Sequence, residues 1–138
     1  MSIVQGQTTS FKVELYEGIH NLLTDTLKIA LYTANANLNQ STTVYSTTNE
    51  VSGTGYTLGG KTLTGVTVSS SGTTAYVDFD DVIWNPASFT ARCALIYNST
   101  KADRSIAVLD FGSDKTTTTK FTITMPTNSP TNALIRMD

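Results

Sequence analysis

Few residues in this sequence could carry covalent or acid–base chemistry. There is one histidine, His20, and one cysteine, Cys93, so a catalytic triad or a metal site would need mainly carboxylates and hydroxyls. For His20, a surface or helix-end histidine is the simplest interpretation. Cys93 alternates with its neighbours in phase with Ala91, Leu95 and Tyr97, which predicts a small buried thiol rather than a nucleophile. Because no nucleophile can be paired with a general base, an enzyme is the least supported class of function.

The densest group of carboxylates is Asp78, Asp80 and Asp81. On a strand, Asp78 and Asp80 would project from the same face, and hard cations prefer oxygen ligands gathered in this way. The spacing lacks the glycine and the terminal glutamate of a calcium loop, so a solvated outer face is the favoured interpretation. We therefore predict no metal and no cofactor.

Glycines are concentrated in residues 52–60, where backbone amides could approach an anion. The segment has no Gly-Lys-Ser/Thr ending and does not open a helix, as a phosphate-binding loop would. Turns around a docked Tyr56 explain the glycines more simply.

The elements that must position these residues are predicted to be strands. The 138 residues include 26 Thr and 13 Ser, while 39% are hydrophobic and only 14% are charged. Thr favours the pleated surface of a strand, and Ser and Gly favour the turns between strands. A chain of this length fits one domain, and its low charge suits a subunit of an assembly.

The periodicity along the chain changes once. Apolar residues at helical spacing predict a short helix over residues 10–22, and from Leu27 the period becomes two. Residues 33–60 form a long polar loop, and strands at short spacing follow it, including a hairpin over residues 61–84. The sequence therefore predicts an all-β fold, a β-sandwich or jelly-roll-like domain of seven or eight strands with one short N-terminal helix. In this interpretation residues 1–10 form an extended arm, and residues 126–138 form a C-terminal strand or arm.

Charge and hydropathy exclude two kinds of partner. The net charge is −2 and the nine Lys and Arg are scattered singly, so we predict no nucleic-acid binding. No run approaches the ~18 apolar residues needed to span a bilayer, and the first residues do not resemble a secretory signal. We expect a soluble chain made in the cytoplasm, where a lone cysteine stays reduced.

Three segments carry a resemblance to a known family. They are residues 27–33, residues 50–56 with Gly59 and Gly60, and residues 94–98 followed by 108–112. In order and spacing they resemble small virion structural proteins of tailed bacteriophages, and the likeness runs along most of the chain. The resemblance implies a non-enzymatic virion protein and offers no catalytic residues.

Within the virion, two positions are open. The first is a capsid cement or decoration protein that binds across major capsid subunits and neighbouring copies of itself, gaining avidity from many modest contacts. The second is a neck, tail or fibre-attachment component built as a ring or trimer. Contacts are expected in the loop from Asn35 to Gly60 and in the chain ends 1–10 and 126–138. The candidate interface residues are Gln7, Asn35, Asn39, Tyr45, Tyr56 and Arg136.

A glycan-binding module is a less favoured alternative. Tyr45, Tyr56 and Trp84 could stack on sugar rings, and β-sandwiches commonly host such sites.

Overall fold

A computed structural model of the chain describes residues 2–129 and 131–137; Met1, Pro130 and Asp138 lie outside the described residues. The protein is all-β, with 45% of its residues in strands and 8% helical. The elements in chain order are β1 (Ser2–Ile3), β2 (Gly6–Gln7), α1 (Thr9–Tyr16), β3 (Leu27–Tyr32), β4 (Asn37–Leu38), β5 (Lys61–Thr62), β6 (Thr67–Ser71), β7 (Thr74–Asp78), β8 (Val82–Trp84), β9 (Phe89–Asn98), a 3₁₀ turn (Ser99–Lys101), β10 (Arg104–Thr117), β11 (Phe121–Ile123) and β12 (Ile135–Met137).

The largest sheet has five strands in the order β2-β10-β9-β3-β5, and every neighbouring pair in it is antiparallel. Strand β3 and residues 93–97 of β9 are apolar in nearly every position, because both faces of the sheet are covered there. Ile29 and Ile96 face one apolar cluster, and Tyr32 and Leu95 face another. Alternation in β3 therefore separates two buried faces rather than a buried face from a solvated one.

The larger cluster lies between this sheet and a second layer, which gives the fold its sandwich-like character. The second layer consists of the three-stranded sheet β12-β7-β6 and the pair β11-β8. Trp84, only 1% exposed, packs edge to face against Phe121 with ring centroids 6.0 Å apart. Burial of such aromatic area is a main source of stability in a fold of this size.

The predicted hairpin is present, but its turn is displaced. β6 and β7 pair in regular register from Thr67 opposite Asp78 to Ser71 opposite Thr74. The two-residue turn between them begins at Gly72, whose φ of 58° suits glycine at the first central position of a tight hairpin turn. Residues 61–62 belong to the other sheet instead.

The phase predicted for β9 is wrong at one position. Cys93 shares its cluster with Leu95 and Tyr97, as expected, but Ala91 lies in the opposite cluster. The register of β9 with β10 shifts between Asp110 and Lys115, and such a bulge disturbs the alternation of side chains.

The helix is shorter than the predicted span of residues 10–22. It begins after the N-cap Thr8, whose hydroxyl accepts a hydrogen bond from the Phe11 amide, and it ends at Tyr16. Gly18 follows with a φ of 73°, a left-handed conformation that stops the helix. The apolar residues beyond it therefore pack from a loop.

The chain ends are paired in sheets: the extended arm expected at residues 1–10 contains β1 and β2, and the strand or arm expected at residues 126–138 contains β12. β1 pairs with β4 in parallel, β2 pairs with β10, and β12 pairs with β7. The side chain of Gln7 also donates to the carbonyl of Arg136 at 2.9 Å, which joins the two ends.

In the described part of the chain, no helix has both the length and the apolar character required to cross a membrane.

Candidate functional site

The long polar segment 33–60 packs along the five-stranded sheet, with Ala36 in the apolar cluster on one face and Val51 in the cluster on the other. One acidic residue, Glu50, orders it. Short backbone contacts hold the segment at intervals, such as the Val51 amide on the Leu31 carbonyl at 2.9 Å. The Glu50 side chain lies beneath the segment, and the residue is only 8% exposed. A buried carboxylate is costly unless hydrogen bonds compensate for the lost water.

The carboxylate of Glu50 receives three hydrogen bonds. The Tyr45 hydroxyl donates to Oε1 at 2.6 Å, and the Gly59 amide donates to Oε2 at 2.9 Å. The Tyr56 hydroxyl also donates to Oε2, and its own oxygen accepts from the Leu31 amide at 2.9 Å. One side chain therefore links three points of the segment to strand β3.

The surrounding phenols are held in their protonated form. Burial, reinforced by the Glu50 carboxylate, raises the pKa of Tyr45 and of Tyr56 above its ordinary value. Burial also raises the pKa of Tyr97 to about 12, with Asp103 and Glu50 contributing. Tyr97 stacks on Tyr45 with centroids 4.6 Å apart and donates to the Gly59 carbonyl at 2.6 Å. In this cluster two phenols therefore donate to Glu50, and Tyr97 donates to the Gly59 carbonyl beside it.

The glycines of this segment are explained by close approach of backbone to backbone. A Cβ atom on Gly60 would lie 1.8 Å from the Ile29 carbonyl oxygen, and one on Gly55 would lie 2.0 Å from that of Pro86. Both glycines also have positive φ values. The segment is built to lie tightly on the body of the protein.

The outer surface of the segment carries no charge. Glu50 is the only charged residue between positions 33 and 60, and its side chain is turned inward. The solvent-exposed side chains of the segment are mainly those of Asn, Thr, Ser and Gln. Two apolar residues are also exposed, Val44 at 48% and Leu58 at 61%. The core of a protein interface is typically depleted of charge in the same way.

The sequence-predicted interface residues fall into three groups. Asn35 is exposed, and Asn39 is half-buried, with its side chain bonded to the Ser41 amide and to Asn37. Tyr45 and Tyr56 instead stabilise the segment from within, since both hydroxyls donate to Glu50. Gln7 and Arg136 are far apart in the sequence but adjacent in the fold. Both line a groove of about 440 Å³ between β10 and the C-terminal strand.

A second polar cluster surrounds His20. The sequence predicts a surface or helix-end position for this residue, but its side chain is buried. Its side chain is 0% exposed, with Nε2 2.8 Å from Glu14 Oε1 and Nδ1 3.0 Å from the Asn98 amide nitrogen. Because the Asn98 oxygen accepts from the Thr100 and Lys101 amides, its nitrogen must face His20, so Nδ1 accepts and Nε2 carries the proton. Both ring nitrogens are occupied, which leaves neither to act as a base toward a substrate.

The same cluster continues to Asp25. Its carboxylate accepts from Asn98 at 2.8 Å and forms an ion pair with Lys101 at 3.0 Å. Burial would raise the pKa of Asp25, but hydrogen bonds from Asn98, the Asn21 amide and Lys101 outweigh it and lower the pKa below 3.8. These contacts tie the loop after α1 to the turn between β9 and β10.

Cys93 is buried at 0% exposed, and burial raises the pKa of its thiol to about 12. A protonated thiol in the core is a poor nucleophile.

The three aspartates do not converge. β7 ends at Asp78, so the predicted alternation does not reach the next two. Asp80 accepts from the Thr64 hydroxyl at 3.3 Å, and Asp81 accepts from the Met125 amide at 2.7 Å. Over residues 2–129 and 131–137, no three His, Cys, Asp or Glu side chains are grouped so that they could hold a metal ion.

The glycan-stacking set is also dispersed. Trp84 is buried beneath Tyr56, with ring centroids 6.2 Å apart, and Tyr56 itself is bonded to Glu50. Of the three aromatic residues, only half-buried Tyr45 lies outside this stack, and its hydroxyl is occupied.

The central residue of the site, Glu50, was not singled out by the sequence reasoning. A signal was present, since one carboxylate in an otherwise uncharged stretch must be either solvated or specifically paired. Which tyrosines would reach it depends on how the segment folds back on the sheet, and this is not encoded in local spacing.

Comparison of the chain with protein-family models, with curated proteins and with solved structures gives no match.

Proposed function

We propose that the chain is a non-enzymatic structural protein of a tailed-phage virion, and specifically a capsid cement protein. It would bind across neighbouring major capsid subunits and stabilise the head. The observation that carries the proposal is the uncharged, pre-ordered outer surface of residues 33–60, together with the resemblance of three sequence segments to virion proteins.

The physical argument concerns the cost of binding. A polar loop that becomes ordered only on binding loses conformational entropy at that moment, whereas a loop already fixed by Glu50 and its three donors has lost it on folding. An uncharged surface also avoids desolvating ions at the contact. Such a surface can add useful affinity when many copies bind one shell.

The absence of reactive groups in the buried clusters supports a non-enzymatic role. Both oxygens of the Glu50 carboxylate and both nitrogens of His20 are hydrogen-bonded to protein groups. Within the described residues, no buried side-chain nitrogen or oxygen lacks a hydrogen-bond partner. Catalytic groups usually keep an open position for substrate.

The proposal is tested by counting the chain in purified virions against the major capsid protein by quantitative mass spectrometry. A cement protein is expected on the order of hundreds of copies, while about three to twelve would indicate a trimer or ring of the neck or tail. Absence from the particle would overturn both assignments.

The surface itself is tested with a matched pair of variants. Val44 on the segment is 48% exposed, and Ile83 on β8 is 47% exposed. Val44→Lys should lower particle occupancy at least several-fold, because it places a charge in the contact, and Ile83→Lys should not. Full occupancy by Val44→Lys would remove this surface from the proposal.

A further inference from the structure

Strand β6 (Thr67–Ser71) is an open edge of the three-stranded sheet. It is hydrogen-bonded to β7 on one side, and among the described residues no strand pairs with its other side. Four of its five residues are exposed, including Val68 at 49%. An edge of this kind presents unpaired backbone groups to another strand.

The other open edges are short or protected. β2 and β5 have two residues each, and β12 has three residues and carries exposed Arg136. The outer side of β10 beyond its pairing with β2 is interrupted by the register shift between Asp110 and Lys115. Short length, charge and bulges are the usual devices against edge pairing. β6 has none of them, since its sequence is Thr-Val-Ser-Ser-Ser and its register with β7 is regular.

We propose that β6 pairs with β6 of a second copy of this chain, antiparallel and about a two-fold axis at Ser69. The two three-stranded sheets then form one continuous six-stranded sheet. The interface is isologous, so the same five residues serve both partners.

The register follows from the hairpin. The two-residue turn after Ser71 is closed by a hydrogen-bonded pair, Ser71 with Thr74, and hydrogen bonding alternates along antiparallel strands. Thr67, Ser69 and Ser71 therefore direct their backbone groups toward β7, while Val68 and Ser70 direct theirs outward. With the axis at Ser69, Val68 of each copy lies opposite Ser70 of the other, and all the outward groups are paired.

Side chains and charges are compatible with this arrangement. Val68 lines the apolar groove of about 430 Å³ between the three-stranded sheet and the loop after α1. The two Val68 side chains become diagonal neighbours about 7–8 Å apart on the same face. On the neighbouring strand β7, Asp78 pairs with Thr67, and strand spacings place the two Asp78 residues about 20 Å apart. That distance exceeds the Debye length of about 8 Å, so they repel little.

The test traps the pair through engineered cysteines in the full chain, in which the native Cys93 is buried. In the proposed register, the Cα atoms at position 69 are about 4.5 Å apart, within reach of a disulfide. Those at position 67 are about 14 Å apart and cannot be bridged. Ser69→Cys should therefore form a disulfide-linked dimer under mild oxidation at least ten-fold faster than Thr67→Cys.

Two second-site changes separate edge pairing from random collision. Ser70→Pro removes an outward N–H and leaves the β7 ladder intact, and Val68→Lys adds charge to the edge. Either change in the Ser69→Cys background should lower the dimer yield several-fold, whereas Ser70→Thr should not. Circular dichroism checks that each variant is folded. If Ser70→Pro does not fold, the dimer yield of Val68→Lys decides the test.

Equal cross-linking of Ser69→Cys and Thr67→Cys, or no dimer with Ser69→Cys, would overturn the proposal. Because five residue pairs are far fewer than the ~20–30 residues per side of a standard interface, the free dimer is expected to be weak, and the covalent trap is chosen for that reason. The measurement uses purified chain alone, so its outcome is independent of the virion assignment.

Discussion

At the scale of single residues, Glu50 is the side chain that holds segment 33–60 together. Its carboxylate accepts from two phenols and one backbone amide. Hydrogen bonds to a charged group are each worth about 1.5–3 kcal/mol, and a donor left buried without a partner costs a similar amount. The stability of the segment should therefore depend steeply on this one position.

Glu50→Gln tests this dependence. The amide replaces one acceptor oxygen with a donor and removes the charge, so the free energy of unfolding should fall by about 2 kcal/mol, and Glu50→Ala should cost more. Urea unfolding gives the value. Glu17→Gln is the control, because Glu17 is exposed and its substitution should stay within about 0.5 kcal/mol. Equal stabilities of Glu50→Gln and the control would mean that the hydrogen bonds to Glu50 contribute little.

At the scale of elements, the loop after α1 is anchored to the turn between β9 and β10 by Asp25. The hydrogen bonds from Asn98 and Lys101 form only in the folded chain, and they keep the pKa of Asp25 below 3.8 despite its burial. The unfolded chain therefore takes up a proton at Asp25 at a higher pH than the folded chain does. The contribution of this contact is present above the unfolded pKa and is lost as the pH falls through the folded one.

The prediction is a pH-dependent difference between the protein and Asp25→Asn. The melting temperature of the variant should be lower above about pH 5, and the gap should close progressively below pH 3.8, the ordinary pKa of the group. Thermal melts followed by circular dichroism from pH 2 to pH 7 measure it. Asp114→Asn changes an exposed carboxylate and should show no such trend. A gap that is constant with pH would mean that the ionisation of Asp25 does not stabilise the fold.

At the scale of the whole molecule, the sequence predicts those strands and turns whose signals lie within a few neighbouring residues. The alternation from Leu27 predicts β3, and the glycine at position 72 marks the hairpin. The end of α1 was missed because the apolar spacing continues past Gly18, although the backbone there is left-handed. Pairing of the chain ends and the partners of Glu50 depend on contacts between distant parts of the chain, which no window of neighbouring residues contains.

The N-terminal residues show this most clearly, because the sequence predicts only an extended arm, whereas the structure pairs that arm with distant parts of the chain. The Val4 amide donates to the Leu38 carbonyl at 2.9 Å, and the Gln5 side chain accepts from the Asp110 amide at 3.0 Å. Gln7 reaches Arg136 on β12. These contacts connect the five-stranded sheet to the C-terminal strand of the second layer.

Deletion of residues 1–7 should therefore destabilise the protein without unfolding it, since Thr8 remains to cap α1. Each lost hydrogen bond is worth about 0.5–1.5 kcal/mol, partly offset by the ordering entropy no longer spent on the segment. We expect a loss of about 2 kcal/mol, seen as a fall of several degrees in the melting temperature. Gln7→Ala, which removes only the bond to the Arg136 carbonyl, should produce a small part of the effect. An unchanged melting temperature after the deletion would mean that residues 1–7 contribute little to the stability of the fold and are available for contacts with a partner.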